Sequence, residues 1–335
     1  MLTQYESLPD GLLDLPAARL GEVLPGPALI HLPGRHTLPL FVSVLLHGNE
    51  DTGWLAAQEI LRKYAAAELP RALSLFIGNV AAARSGVRRL DDQPDYNRVW
   101  PGCEEAHPAE RAMMQEVVDA MRARGVFASI DIHNNTGLNP HYACVNRLDQ
   151  AFLHLAALFS RIVVYFIRPR GVQSAAFAEL CPAVTLECGK PGTPGSVEHA
   201  VLFLEACLHL SEFPAHPVAP HDIDLFHTVA TVKVPEQASF GFAAPDADID
   251  FVSELDHFNF RELARGERLG RVREGSPVRL QVRDENDIDI GMRLFDYCQG
   301  EITLRQPLMP AMLTRDERVI RQDCLCYLME RIGVP

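Results

Sequence analysis

The sequence lacks a surplus of positive charge. Its 335 residues include 31 Lys and Arg against 44 Asp and Glu, which gives a net charge of −13 with histidine neutral. An acidic chain repels phosphate backbones, so we expect no nucleic acid among its general partners, although a local group of arginines can still bind a small anion. Aromatic residues make up 7% of the chain and hydrophobic residues 47%, which is typical of a soluble globular protein.

Long hydrophobic runs are also missing. Apolar runs such as residues 41–46 have the length of a strand and fall far short of the roughly 20 residues that span a bilayer. The N-terminal segment carries Glu6, Asp10 and Asp14 and no basic residue before Arg19, whereas a secretory signal has a basic start and an apolar middle. We therefore predict no membrane segment and a cytoplasmic location.

Cysteine pairs with the spacing of a zinc knuckle are absent as well. The eight cysteines are scattered, at Cys103, Cys144, Cys181, Cys188, Cys207, Cys298, Cys324 and Cys326. Without a predicted signal peptide, and without the spacing of a zinc knuckle, they are expected to be reduced thiols.

The first two-thirds of the sequence alternates strand-like and helix-like segments. Apolar, strand-sized segments are predicted as strands at residues 39–46, 73–78, 126–132, 162–167 and 183–187. Segments with apolar residues at helical spacing are predicted as helices at residues 54–64, 110–124, 150–159 and 197–210. This alternation predicts an α/β fold with a largely parallel sheet flanked by helices.

A proline-containing stretch at residues 211–220 marks a change in the sequence pattern. The segments that follow, at residues 228–234, 268–273, 278–282 and 302–304, are short, rich in β-branched residues and interrupted by Gly, Pro and Asp. We predict two domains, a catalytic domain at residues 1–215 and a smaller β-rich domain at residues 221–335.

Candidate metal ligands follow two of the predicted strands. His47 and Glu50 lie three apart where the chain turns from a strand into a helix, so both can face one point. His133 ends another strand, and Asp131 shares its face and can accept the free N–H of a liganding imidazole. Imidazole and carboxylate groups bind zinc, usually three at a catalytic site. Each motif alone also fits a loop histidine without a metal.

Glu187 is a third candidate, at the end of the buried segment Val-Thr-Leu-Glu. A buried carboxylate is costly unless it is paired or functional, and a structural ion pair is the alternative interpretation. However, His47, His133 and Glu187 each end a predicted strand, and open α/β sheets bind ligands at the carboxyl ends of their strands. The three motifs together therefore predict one site.

Arginines between these motifs suit an anionic ligand. Arg98 offers a planar fork that matches a carboxylate, and Asn97 adds a neutral donor. Upstream, Arg88 or Arg89 could polarise a carbonyl near a metal and stabilise an oxyanion. Solvated surface arginines are the alternative.

The order of these motifs resembles the succinylglutamate desuccinylase/aspartoacylase family, within the zinc carboxypeptidase A-like metallohydrolases. The motifs are His-Gly-Asn-Glu, Asn-Arg, Asp-Ile-His-Asn and Leu-Glu-Cys-Gly. The resemblance covers residues 40–210 and extends more loosely to residues 256–260 and 307–310. It implies a zinc-carboxypeptidase-like mixed, largely parallel sheet flanked by helices, with a smaller C-terminal β-rich domain.

The resemblance also implies a set of roles. One Zn²⁺ per chain would be held by His47, Glu50 and His133, and Glu187 would be the base that activates water. Cobalt or manganese could occupy the same ligands in vitro.

The implied substrate contacts come from the arginine segments. Asn97 and Arg98 would hold the substrate carboxylate, and Arg88 would polarise the scissile carbonyl. The segment after Arg88 is longer than in aspartoacylases, so Arg89 remains an alternative. Arg168 and Arg170 are candidates for a second acidic group, with Arg170 taken as substrate-binding. The family's C-terminal active-site tyrosine has no assigned counterpart in this sequence.

The implied reaction is hydrolysis of the amide bond of an N-acyl amino acid. One alternative is a zinc metallocarboxypeptidase that acts on short peptides, and another is a zinc-binding protein without catalysis. The expected partner is therefore a small N-acylated amino acid or a short peptide.

Overall fold

The structure is a computed structural model that describes residues 1–104 and 106–335, and the chain divides into two compact units. The first comprises Met1–Asn134, His141–Leu225 and Gly333–Pro335, and the second Asn135–Pro140 and Phe226–Ile332. The domain boundaries expected from the sequence stay a prediction, because compactness alone does not show that either part folds by itself.

The first unit alternates strands and helices. Its strands are β1 (Thr3–Tyr5), β2 (Ala28–Leu32), β3 (Gly34–Val44), β4 (Leu69–Ile77), β5 (Ala128–His133), β6 (Tyr142–Val145), β7 (Ile162–Tyr165) and β8 (Ala183–Glu187). Its helices are α1 (Thr52–Lys63), α2 (Val80–Ser85), α3 (Pro108–Arg124), α4 (Gln150–Ala157), α5 (Gln173–Phe177) and α6 (Ser196–His209), with 3-10 turns at Leu12–Asp14 and Ala17–Glu22.

The strands of the first unit pair side by side in the order β1-β2-β4-β3-β5-β8-β6-β7. The centre, β4-β3-β5-β8, is parallel throughout, while β2 and β6 pair antiparallel with β4 and β8. The predicted fold class, a mixed and largely parallel sheet flanked by helices, is confirmed. Because the central strands run in one direction, the chain leaves β3, β5 and β8 at the same edge of the sheet.

Helix α3 illustrates how the sequence pattern becomes a packed helix. Its apolar residues recur at spacings of three and four and are all buried: Met113, Met114, Val117, Val118 and Met121. Pro108 begins the helix, and Gly125, with a φ of 74°, ends it. No helix within residues 1–104 and 106–335 is long and apolar enough to cross a membrane.

The second unit is rich in β-strands, as predicted. After β9 (Asp224–Lys233), which begins at the end of the first unit, it contains β10 (Phe240–Phe242), β11 (Ile249–Phe251), β12 (Arg268–Val272), β13 (Gln281–Arg283), α7 (Gly291–Leu294), β14 (Phe295–Asp296), β15 (Glu301–Leu304), β16 (Met309–Ala311), α8 (Glu317–Gln322) and β17 (Cys326–Arg331). Two further segments, Leu255–Phe258 and Cys298–Gly300, form 3-10 turns. Strands β13, β9, β17 and β16 pair antiparallel, and a second sheet has the order β10-β11-β12-β15-β14. Buried apolar side chains such as Phe251, Phe295 and Leu325 fill the core of the second unit.

Residues 135–140 belong to the second unit although they directly follow β5 and Asn134. The backbone N–H of Met312 donates to Asn139 Oδ1 at 3.0 Å. Gly137 lies so close to Leu313 that a Cβ at this position would be 1.9 Å from the Leu313 carbonyl oxygen. The second domain predicted from the sequence begins at residue 221, so this earlier segment lies outside its predicted bounds.

The predicted elements match in position and differ at their ends. Strand β3 begins at Gly34, ahead of the predicted residue 39, because Gly34 and His36 already pair with β4 before a shift in register. Strand β7 ends at Tyr165 and not at Ile167, whose side chain is exposed. Strand β13 covers Gln281–Arg283, later than the predicted 278–282. The strands that were not predicted are β1, β2, β6, β10, β11, β14, β16 and β17.

Candidate active site

Strand β3 leads into the first site residues through a strained turn. Leu45 has a φ of 56°, a left-handed conformation that residues other than glycine rarely adopt. Gly48 cannot be replaced without a shift of the chain, because a Cβ there would lie 2.2 Å from the backbone carbon of Ala82 in α2. Close backbone packing on α2 therefore fixes the loop that carries His47 and Glu50.

His47, Glu50 and His133 meet in a buried cluster. His47 Nδ1 lies 2.9 Å from Glu50 Oε1, His133 Nδ1 lies 2.8 Å from Glu50 Oε2, and the two Nδ1 atoms are 3.2 Å apart. Each of these residues is at most 4% exposed. One ligand atom from each lies within 4.8 Å of the others, so the structure brings together the three residues predicted as metal ligands.

Each imidazole contacts a further carboxylate through Nε2. His47 Nε2 lies 2.9 Å from Asp95 Oδ1, and His133 Nε2 lies 2.8 Å from Asp131 Oδ2. Ser43 donates from Oγ to Asp131 Oδ1 at 2.5 Å. With a metal bound, a carboxylate at Nε2 would favour a proton on that nitrogen and keep the lone pair on Nδ1 for the metal.

Burial and charge pairing oppose each other in the cluster. Burial raises the pKa of Glu50, but the neighbouring His47 and His133 outweigh it and bring this pKa below its usual range. Burial lowers the pKa of His133, but Asp131 and Glu50 outweigh it and bring this pKa well above its usual value. The carboxylates therefore strongly stabilise positive charge at this buried site.

The donor set fits a divalent cation. Three carboxylates, those of Glu50, Asp95 and Asp131, contact the two imidazoles, and Arg88 brings one positive charge to them. Three negative charges against one leave a surplus of two, which two imidazolium protons or one divalent ion can balance. Donor atoms around one tetrahedral zinc ion lie roughly 3.3 Å apart when each bond is about 2.0–2.1 Å. The two Nδ1 atoms, 3.2 Å apart, and the distance of each from one Glu50 oxygen, 2.9 Å to Oε1 for His47 and 2.8 Å to Oε2 for His133, approach this value.

Glu187 lies beside His133 at the same edge of the sheet. It ends β8 and is aligned with His133 on β5 and with Tyr142 on β6. Residues that are aligned across neighbouring strands present their side chains on the same face, so Glu187 shares the face of His133. Burial, together with the Glu187 charge, raises the pKa of the Cys144 and Cys188 thiols, which keeps both protonated.

Arg88 and Arg89 make different contacts in the structure. Arg88 is 8% exposed, donates from Nη2 to Asp95 Oδ2 at 2.8 Å, and has its Nη1 3.6 Å from Glu50 Oε1. Arg89 instead donates to the backbone carbonyl of Gln93 at 2.8 Å. Arg88 is thus the arginine of this pair that lies against the histidine cluster.

Asn97 is held in one orientation. Its Oδ1 accepts the backbone N–H of Gln173 at 2.8 Å, and because a backbone N–H always donates, this bond distinguishes the amide oxygen from the nitrogen. The Nδ2 group then lies 3.2 Å from His133 Nε2, next to the cluster. Arg98, which is partly buried, donates to the Asn97 carbonyl at 2.8 Å.

Arg168 and Arg170 lie in a different environment. Both guanidinium groups pair with the Glu104 carboxylate at 3.0 Å, and the Arg170 side chain is 57% exposed. Their segment packs on Arg98, since a Cβ at Gly171 would be 2.4 Å from the Arg98 carbonyl oxygen. Within the described part of the chain, Arg170 pairs with Glu104 and is not brought to the buried cluster.

Two residues of the site were missed in the sequence. Asp95 contacts both His47 and Arg88, yet its partner His47 is 48 positions away. Its place two residues before Asn97 was the available signal. Asn134, directly after His133, is 2% exposed and donates from its backbone N–H to Glu50 Oε2 at 3.2 Å.

Comparison with known proteins assigns the chain to a family. The fold and site define an α/β protein with a candidate metal centre at the carboxyl edge of a largely parallel sheet. A family model described as succinylglutamate desuccinylase/aspartoacylase catalytic domain matches residues 38–209, just over half of the chain. The chain belongs to this family of hydrolases, and the resemblance predicted from its motifs is confirmed. A search of curated proteins found no significant match.

Solved structures share the fold at low sequence identity. Succinylglutamate desuccinylase from Chromobacterium violaceum is 17% identical, with a TM-score of 0.57 over 90% of this chain and 87% of that one. The enzyme from Vibrio parahaemolyticus is 14% identical, with a TM-score of 0.61 over 90% and 83%. Murine aminoacylase 3 is 16% identical, with a TM-score of 0.55 over 90% and 98%. At these identities the likeness concerns the fold alone.

Proposed function

We propose that this protein is a zinc-dependent hydrolase that cleaves the amide bond of an N-acyl amino acid. The observation that carries the proposal is the buried cluster of His47, Glu50 and His133 at the carboxyl edge of the sheet, with Glu187 aligned beside it. Family membership supports the reaction class.

His47, Glu50 and His133 would hold one zinc ion per chain. A bound ion would act as a Lewis acid that lowers the pKa of water to about 7 and polarises a carbonyl group. Asp95 and Asp131 would keep the proton of each imidazole on Nε2 and so keep Nδ1 available for the ion.

Glu187 would be the general base. Its carboxylate would take a proton from the attacking water and later deliver it to the leaving amine nitrogen, so that the amine departs neutral. Arg88 would stabilise the negative charge that develops on the carbonyl oxygen, because its guanidinium already lies within the buried cluster.

The substrate carboxylate would be held by Asn97 and Arg98. The Asn97 amide is oriented with its Nδ2 donors toward the cluster, and Arg98 supplies a charged fork next to it. Holding the carboxylate turns the attack into a reaction between positioned groups. Arg170 would contact a second acidic group if it exchanged Glu104 for the substrate.

The test is a hydrolysis screen of the zinc-loaded protein against N-acetyl amino acids, N-succinyl amino acids and short peptides. Release of a free amino acid from an N-acyl substrate is expected. Cleavage of peptides alone would assign the protein to the metallocarboxypeptidases, and turnover of none of the three classes would contradict the proposal.

A further inference from the structure

Asn134 makes three separate hydrogen bonds at the candidate active site. Its backbone N–H donates to Glu50 Oε2 at 3.2 Å, and its side-chain Oδ1 accepts the backbone N–H of Thr52 at 3.3 Å. Its Nδ2 donates to the backbone carbonyl of Gly189 at 2.9 Å. One buried side chain therefore joins the end of β5, the start of α1 and the segment that follows β8.

The two side-chain partners require an amide. A backbone N–H is a donor and a carbonyl is an acceptor, so Oδ1 must face Thr52 and Nδ2 must face Gly189. An aspartate in the same place would keep the bond to Thr52 but set a carboxylate oxygen against the Gly189 carbonyl. The asparagine side chain is thus matched to both partners at once.

The bond to Gly189 extends the pairing of β5 with β8 beyond the strands. The last aligned residues of these strands are His133 and Glu187, and the next bond runs from the Cys188 N–H to the His133 carbonyl at 2.9 Å. Asn134 Nδ2 then supplies a further bond between the two segments.

Beyond Gly189 the chain becomes an exposed loop. Residues 191–195 are all exposed, and Gly189, Gly192 and Gly195 have φ values of 71°, 73° and 84°. The glycines alternate with Pro191 and Pro194, and the backbone bonds here are turn bonds, from the Thr193 N–H to the Lys190 carbonyl and from the Ser196 N–H to the Thr193 carbonyl. The bond from Asn134 therefore lies at the point where the ordered strand that carries Glu187 passes into this loop.

We propose that Asn134 is a positioning residue that fixes the Glu187 carboxylate relative to the metal-binding cluster by holding Gly189. The inference rests on the proposed function, in which Glu187 is the base. Reacting groups need close alignment, and a misplacement of about 1 Å can lower the rate about 100-fold. Both side-chain partners of Asn134 are backbone groups, so the proposed effect on Glu187 runs through Gly189.

The experiment compares Asn134→Asp and Asn134→Leu with Asn146→Asp and Asn146→Leu. Asn146 is a suitable control because its Nδ2 also donates to a backbone carbonyl, that of Phe166 at 3.0 Å. Amide hydrogen exchange of residues 188–195, zinc content, kcat and KM are measured for each variant.

Both Asn134 variants are expected to exchange amide hydrogens in residues 188–195 about tenfold faster than the unmodified protein. Their kcat is expected to fall by roughly 10- to 100-fold, with zinc content retained and KM within about threefold. Both Asn146 variants are expected to match the unmodified protein in exchange at residues 188–195 and in kcat.

Unchanged exchange at residues 188–195 in the Asn134 variants would overturn the proposal. So would a loss of kcat that parallels a loss of zinc, because Asn134 would then act on Glu50 and not on Glu187. If the unmodified protein hydrolyses no N-acyl amino acid, the proposed function fails, while the exchange measurement still decides whether Asn134 holds the loop.

Discussion

The two charged regions of the candidate site are built in opposite ways. In the histidine cluster, His47, Glu50 and His133 are at most 4% exposed and held by contacts of 2.8–3.2 Å. In the arginine pair, Arg168 and Arg170 reach a shared partner, Glu104, and the side-chain exposures are 25% and 57%. The first region is fixed before any ligand arrives, and the second can exchange its partner.

This difference follows from the cost of buried charge. A buried carboxylate or imidazolium must be paired and hydrogen-bonded, so its neighbours are determined by the fold. An exposed ion pair contributes about 1 kcal/mol or less and is readily exchanged for water or a ligand. We expect the chemistry to reside in the buried region and the choice of acyl group to depend on more exposed groups.

The largest effect is expected from Glu187→Gln. The amide cannot take a proton from water, so kcat should fall by roughly 10² to 10⁴ while zinc remains bound. Glu179→Gln, at an exposed position, is the control and should keep full activity. If the Glu187 variant kept its activity, Glu187 would not be the general base.

Arg88 and Arg89 allow a matched comparison within one loop. Arg88→Met should lower kcat by roughly 10² to 10³, because the developing oxyanion loses a buried cation. Arg89→Met removes a donor to the Gln93 carbonyl and should change kcat by less than about threefold. Steady-state kinetics of both variants checks this prediction. An equal loss of kcat in both would show that the contact of Arg88 with the histidine cluster does not account for its role.

Asp131→Asn tests the support behind a metal ligand. The amide is a weaker acceptor for His133 Nε2–H, so zinc affinity should fall roughly 10- to 100-fold in a competition titration with a chelator. Ser43→Ala, which removes a donor to Asp131, should have a smaller effect in the same direction. Unchanged affinity in both variants would separate these residues from metal binding.

Arg170→Met is expected to have the smallest effect. Because its guanidinium is exposed and paired with Glu104, its loss should change KM by about fivefold or less. A rise in KM of about 100-fold for a diacidic substrate would instead show that Arg170 binds the second acidic group as strongly as a fixed, buried ligand.

The sequence was most informative where local pattern determines structure. The alternation of strands and helices predicted the α/β class, and His47, His133 and Glu187 could be placed together because parallel strands end at one edge. The left-handed conformation of Leu45 gave no signal, since that region rarely accepts leucine.

Long-range contacts were the part that sequence reasoning could not supply. The bond from Asp95 to His47 joins a loop to a strand end across 48 positions, and no periodicity reports such a pairing. Likewise, residues 135–140 join the second unit through Gly137 and Asn139, although the chain on both sides belongs to the first. Packing between distant segments decided both features.

The most direct test of the central claim is the metal content of purified protein after incubation with zinc and removal of excess. The account predicts about one zinc per chain, a large loss in Glu50→Gln, and no loss in Glu59→Gln, which changes an exposed residue of α1. Failure of the unmodified protein to retain zinc, or equal zinc in the Glu50 variant, would contradict it.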